Sequence, residues 1–208
     1  MEVLDKILHA SVDLFRQYGF KTITMDDIAR KSGISKKTLY QHFANKSEVV
    51  VESIGWYQCR ISDMCIEQLS TAENAVEGMV RIMSMLDHIY RQINPTALLE
   101  LERFYPEGYK KFRENLLNKD VAVMKKNMLQ GMDEGTYRSD IDPDLMARYR
   151  MELSLLTLQP NLLISDRNDM KSIAYIISEH FLLGIMTEKG VQLYQQYKEE
   201  YLKQTTTI

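Results

Sequence analysis

Leu4, Ile7, Leu8, Ser11, Leu14, Phe15 and Tyr18 recur at spacings of three and four, a stripe that predicts an amphipathic helix ending at Gly19. Thr24 is a capping residue for a second, short helix with Asp26 and Asp27 in its first turn, where the helix dipole favours anions. It runs to about Ser32, and Gly33 follows as a C′ residue able to turn left-handed. Ser35 caps a third helix through Phe43 or Ala44, and Asn45 opens a fourth, with Glu48 at N3 completing a capping box. That fourth helix continues through Trp56 and Cys59 to about Leu69. Val76, Met79, Val80, Met83, Leu86, Ile89 and Tyr90 form another stripe, stopped by Asn94-Pro95. A short helix over 98–105 is closed by Pro106, and Tyr109, Phe112, Leu116, Val123, Met124, Met128 and Met132 predict one long helix. Residues 131–142 read as loop, and Pro143 suits the first turn of a helix that Pro160 ends near Leu158. Helices over 170–187 and 191–203 follow, with a frayed Thr205-Thr206-Thr207 tail. No period-two alternation persists long enough for a strand, so the predicted fold is all-α: an amino-terminal three-helix helix-turn-helix domain and a larger helical body.

Composition agrees. Across 208 residues Pro (4) and Gly (9) are sparse, which disfavours turn-rich β folds. Met (13) is abundant, and Met fills irregular pockets adaptably. The amino terminus shows no basic n-region followed by an apolar core, so no secretory signal is expected. The most apolar stretch, residues 173–186, is interrupted by Glu179 and His180 and is too short to span a bilayer. Cys59 and Cys65 make neither a disulfide framework nor a CxxC pair; both are expected to be buried thiols in a reducing cytoplasm.

Net charge is −3, from 26 Lys and Arg against 29 Asp and Glu, which by itself argues against a nucleic-acid partner. The distribution reverses that. Residues 1–50 hold eight basic and six acidic side chains, a balance of +2, whereas residues 51–208 stand at −5. Between Ile28 and Ser47 there are five basic residues (Arg30, Lys31, Lys36, Lys37, Lys46) and no acid. Residues 24–43 form two short helices around Gly33, with Ile28, Ala29, Ile34, Leu39 and Phe43 facing inward and Ala29 small where the helices cross. With Leu39 inward and 100° per residue, Lys37 and Gln41 point away from the core, flanked by Thr38 and Tyr40. Such a face can donate to base edges and phosphates without an acid to repel them.

These residues resemble the amino-terminal pattern of TetR-family transcriptional regulators. The matched elements are Leu14-Phe15, Gly19-Phe20, Thr24-Met25-Asp26-Asp27-Ile28-Ala29, Gly33-Ile34-Ser35, Leu39-Tyr40, His42-Phe43 and Lys46-Ser47-Glu48, within about a quarter of the chain. Ser11 stands where the family commonly has Ala, and Lys37 where it often has Gly, adding a cation to the reading face. The resemblance implies a DNA-binding domain over 1–50 and an effector-binding and dimerisation domain over 51–208. It implies that Lys37, Thr38 and Gln41 meet the major groove beside Lys36, that Tyr40, His42 and Lys46 grip phosphates, and that Thr24 and Ser35 offer hydroxyls and helix-end amides. It further implies a homodimer on a near-palindromic operator, released by a small effector. In the family the last two main helices, here about 143–158 and 169–188, form a four-helix bundle with their symmetry mates.

The apolar groups nearly all round residues 173–186 require cover on more than one side, and a second subunit supplies it. Leu153, Ile173, Ile177, Phe181, Gly184 and Ile185 are the candidates for that surface, with Ser178 and Gly184 allowing close approach. Met83, Leu86, Tyr90, Phe104, Tyr105, Met124, Met128 and Tyr149, together with Met132 and Leu153, are candidates to line an apolar cavity for a hydrophobic or amphipathic effector. The rival class is an all-α carrier or enzyme without DNA function. No catalytic signature, cofactor loop or metal-ligand spacing among His9, His42, His88 and His180 supports it. Asp140-Ile141-Asp142-Pro143-Asp144 lacks the Gly and closing Glu of a calcium loop and reads as a helix entry.

Overall fold

The computed structural model describes residues 2–157 and 170–202. They form eleven α-helices: α1 Val3–Tyr18, α2 Met25–Ser32, α3 Lys36–His42, α4 Lys46–Ser70, α5 Ala75–Tyr90, α6 Ala97–Phe104, α7 Pro106–Asn115, α8 Val121–Asp133, α9 Pro143–Thr157, α10 Met170–Ile185 and α11 Glu188–Tyr197. No strand occurs among the described residues; the single bridge pairs Tyr137 with Met186 antiparallel. The expected stop at Pro160 and the Thr205–Thr207 tail lie outside the described residues.

Two sequence expectations change. The single long helix expected from Tyr109 onward is α7 and α8, separated by a π-helical turn at Leu116–Asp120. Pro106 opens α7 as well as closing α6, since its missing N–H is harmless in a first turn. Cys59 is exposed rather than buried, while Cys65 is half-buried.

The packing divides the chain into two compact units, and the division differs from a cut at residue 50. The first unit combines Met1–Ile61 with Gln92–Asn115, so α6 and α7 join the amino-terminal helices. Its core gathers Ile7, Phe15, Ile28, Leu39, Val49 and Leu101. Phe15 and Phe20 stack with centroids 4.8 Å apart. The segment from 92 onward is held by hydrogen bonds: Asn94 N donates to Arg16 O (2.7 Å), and Lys21 N donates to the Glu100 carboxylate (2.8 Å). That carboxylate sits against Gly19, whose φ of 78° and ψ of 172° belong to a region open essentially to glycine alone.

The second unit comprises Ser62–Arg91 and the described part of Leu116–Ile208. Val76, Met79, Met83, Met124, Met128 and Leu182 are buried at its centre. Polar bonds stitch it: Asn127 Nδ2 donates to Ala75 O (3.0 Å), and Tyr137 Oη donates to the same carbonyl (3.2 Å). Glu179 accepts from Tyr194 (2.8 Å), Tyr175 (3.0 Å) and Lys198 (2.6 Å), tying α10 to α11. Glu77 is buried and accepts from Arg81 (2.5 Å), Tyr201 (2.9 Å) and the Glu73 N–H (2.6 Å). Burial alone would raise its pKa, but these donors prevail and hold it below the usual 4.5.

Two predictions follow from this packing. A Cβ built at Gly19 would lie 2.6 Å from Glu100 Oε2, so Gly19→Ala is expected to cost about 3 kcal/mol, the upper range for enforced backbone strain. Gly33→Ala, left-handed but open, should cost about 1–2 kcal/mol. Urea unfolding of both variants checks the order. Because the folded pKa of Glu77 is depressed, its stabilisation is present above pH 4.5 and is lost as pH falls through the lower folded value. Glu77→Gln should therefore be less stable than wild type at pH 7 and lose less stability on acidification. Parallel acid limbs for the two proteins would contradict it.

Candidate nucleic-acid interface

α3 has seven residues, too few for an isolated helix to persist in water. Its ends hold it in place. Thr24 caps α2 in a capping box: its hydroxyl accepts from Asp27 N (3.2 Å), and its own N–H donates to Asp27 Oδ2 (3.0 Å). The Asp27 carboxyl is held below the usual 3.8 by the Thr24 side-chain bond first and the Thr24 backbone bond second. At the other end, Gly33 adopts φ 68°, ψ 31°, with Gly33 N donating to Arg30 O (3.2 Å) and Ile34 N to Ala29 O (3.1 Å), the paired bonds of a Schellman motif. Ser35 then caps α3, its Oγ accepting from Thr38 N (3.0 Å), and Ser35 Oγ and Thr38 Oγ1 share a bond of 2.8 Å. Leu39 is the one buried residue of α3, and Phe43, just past its end, is buried too.

With Leu39 turned inward, Lys37, Tyr40, Gln41 and His42 are exposed, Tyr40 at 46% despite its large ring. A ring left this open, beside lysines on a helix face, is placed to meet a phosphate through its hydroxyl. Thr38 is half-buried, and its hydroxyl is engaged with Ser35, so it lies nearer the cap than the centre of the face. The charge picture is more balanced than the stretch from Ile28 to Ser47 implies on its own. Lys36 pairs with Asp26 (2.7 Å), a bond that raises the lysine's pKa, and Arg30 pairs with Asp27 (2.8 Å). Both pairs are solvent-exposed and weak, so a phosphate could displace either acid. Lys46 departs furthest from the expected phosphate grip. It is half-buried at the start of α4, its ammonium donates to the Phe20 carbonyl, and it stands 5.5 Å from the centre of the Tyr105 ring. It fastens α4 to the turn after α1. Asn45 and Glu48 cap α4, Glu48 N donating to Asn45 Oδ1 (3.1 Å) and Ala44 N to Glu48 Oε2 (2.8 Å).

The residues expected to line an effector cavity separate into three groups. Met83, Met124 and Met128 are buried together in the core of the second unit, with Leu86 and Met132 packed on it and Tyr90 half-buried. Phe104 and Tyr105 belong to the first unit instead: Phe104 is exposed beside Lys21 and Arg103, and Tyr105 packs near Phe20. Their apolar character serves the amino-terminal core, because 92–115 folds with it. Tyr149 is 49% exposed on α9 and meets Phe181 at 6.1 Å. There it lines an open cleft of about 460 Å³ with Leu153, Ile177, Phe181, Gly184 and Ile185, so it falls among the candidates for the subunit surface. Ile173 is buried within its own subunit, whereas Ile176 is 57% exposed on the cleft. Ser178 faces inward too, accepting from Arg150 (3.0 Å) rather than facing a partner. Arg150 itself escaped the sequence reading. The available signal was its position on α9, three residues after Ala147 and four before Ser154, a charged side chain on an otherwise small and apolar stripe.

A short capped helix joined through a left-handed turn to a second helix that buries one side chain and exposes the rest is a helix-turn-helix reading head. Residues 7–52 match the family model for bacterial regulatory proteins of the tetR family, so this segment is a DNA-binding head of the TetR type. The chain is 28% identical over 149 residues to the HTH-type transcriptional repressor KstR2 of Mycobacterium tuberculosis, covering 69% of this chain and 74% of that one. Its fold resembles FadR of Bacillus subtilis, solved with stearoyl-CoA (TM-score 0.67, 17% identity, 88% of this chain and 99% of that one). It likewise resembles a transcriptional regulator of Saccharomonospora viridis solved with choline (TM-score 0.67, 17% identity, 88% and 97%). No helix among the described residues is long and apolar enough to cross a membrane.

Lys46→Ala is expected to lower the stability of the first unit by about 1 kcal/mol, the net worth of one hydrogen bond. A urea midpoint unchanged from wild type would show that its ammonium holds nothing.

Proposed function

We propose that the protein is an effector-responsive repressor that binds a near-palindromic operator as a homodimer, with α3 in the major groove. The observation that carries this reading is the exposure of Lys37, Tyr40, Gln41 and His42 around the single buried anchor Leu39. Lys37 and Gln41 read base edges; Tyr40 and His42, with Lys36 released from Asp26, contact phosphates; the amides at the start of α3 add donors. Thr24 and Ser35 serve chiefly as caps, and Lys46 orients α4. Residues 1–50 thereby act as reader and the body from 51 onward as sensor, with α4 running from one to the other.

The effector reading rests on the methionine-rich core around Met83, Met124 and Met128, whose unbranched side chains repack readily around a guest. The related folds solved with stearoyl-CoA and with choline show that this architecture admits ligands of opposite charge, so the chemistry of the effector must be argued from this chain's own residues. For release, the effector must bind a DNA-incompetent spacing of the two heads better than the competent one; equal affinity shifts nothing. Tyr149, Ile176 and Leu183 stand exposed on α9 and α10, an apolar surface fit for a second copy.

Binding-site selection from random duplex DNA should return an inverted repeat. Lys37→Ala should change the preferred base at one position of each half-site, by about 1–3 kcal/mol. A uniform loss across all sequences would remove it from the reading role. Ile176→Asp should give monomers by sedimentation and weaken operator binding, while a variant that stays dimeric would move the subunit contact elsewhere.

A further inference from the structure

Arg150 presents an unusual electrostatic situation in the second unit. Its side chain is buried, at 4% exposure, yet no carboxylate among the described residues lies within ion-pair distance. Nη1 donates to Ser154 Oγ (2.8 Å) and Nη2 to Ser178 Oγ (3.0 Å), both neutral hydroxyls, and the buried Nε has no hydrogen-bond partner. The Phe181 ring lies 5.9 Å from the guanidinium carbon. Its electrostatic neighbours are Tyr90 and Cys65. Neither is an anion at neutral pH: burial, foremost, pushes the Cys65 thiol up to about 12 and raises the Tyr90 phenol. The acid that acts on Cys65, Asp120, is bonded to Ser62, and its carboxyl is likewise raised by burial.

The contrast within the same unit is instructive. Arg81 is partnered by Glu77 at 2.5 Å and by Tyr201. A guanidinium cannot shed its proton, so burial without a counter-charge is strongly unfavourable. The serines take one N–H from each Nη of Arg150, which leaves Nε–H and one N–H on each Nη of its five donors to receive a carboxylate. One positive charge calls for one negative charge, which favours a carboxylate over a doubly charged phosphate.

We propose that Arg150 is the anchor of the effector site and that the effector is a carboxylate-bearing amphipath, its charged end on Arg150 and its apolar part in the methionine-rich core of the same unit. This rests on the effector-responsive reading above and narrows it to a class of ligand. A cationic ligand is excluded by like charge.

The probes are dodecanoate, dodecanol and dodecyltrimethylammonium, used below their micellar concentrations, with calorimetry for binding and fluorescence anisotropy for release of the selected operator. Wild type should bind dodecanoate at least about tenfold more tightly than dodecanol and show no binding of the ammonium compound; Arg150→Met should bring dodecanoate and dodecanol together, and Arg150→Lys should retain part of the preference. Dodecanol binding as well as dodecanoate and releasing operator would overturn the anchor while leaving the effector reading intact. Failure of all three probes to bind would count against both. Unliganded Arg150→Met should melt at or above the wild-type temperature, because an apolar side chain relieves an uncompensated buried charge. A large fall would identify Arg150 as a structural cation and overturn the assignment without any ligand.

Discussion

Everything the reading head does depends on a helix of seven residues being held by one side chain and two caps. α3 contributes Leu39 to the core and little else, so hydrophobic burial cannot by itself define how the helix is rotated. The rotation is set at its ends, by the paired bonds around Gly33, by Ser35 receiving the Thr38 N–H, and by Phe43 entering the core just past the last turn. Were more of α3 buried, its orientation would be more secure and fewer side chains would remain for DNA. Caps resolve that conflict because they satisfy backbone groups without consuming the outward face.

The same economy shapes the charges. The acids that temper the basic stretch, Asp26 and Asp27, also begin α2, where the helix dipole and the Thr24 capping box use them. Their pairing with Lys36 and Arg30 is solvent-exposed and therefore weak, so it keeps the cations ordered without withholding them from phosphate. In the second unit the logic reverses. There Glu77 and Glu179 are each surrounded by donors, whereas Arg150 is buried against two hydroxyls and the Phe181 ring. A fold that compensates its other buried charges and leaves this one open places its specificity for ligand at that point.

Most of the helical framework was legible in the chain. The Leu4-to-Tyr18 stripe, the Thr24, Ser35 and Asn45 caps and the glycines at 19 and 33 are local signals, because capping and left-handed turns are decided within four or five residues. The break between α7 and α8 was not legible, since Leu116–Asp120 contains neither the Gly nor the Pro that would mark it. Phe104 and Tyr105 looked like cavity residues because apolar character carries no address; only packing shows that 92–115 folds with the amino-terminal helices. Lys46 looked like a phosphate contact for the same reason: sequence records its charge, but not the Phe20 carbonyl that it meets.

The residues alone determined an all-α regulator with a basic reader on an acidic body, since periodicity, caps and charge distribution are properties of short stretches of chain. Tertiary structure decided which cations are paired, which aromatic residues belong to which unit, that Ser178 turns inward, and that Arg150 lies buried with no acid among the described residues in ion-pair reach. Those outcomes depend on residues tens of positions apart meeting or failing to meet, and no local pattern encodes the absence of a partner.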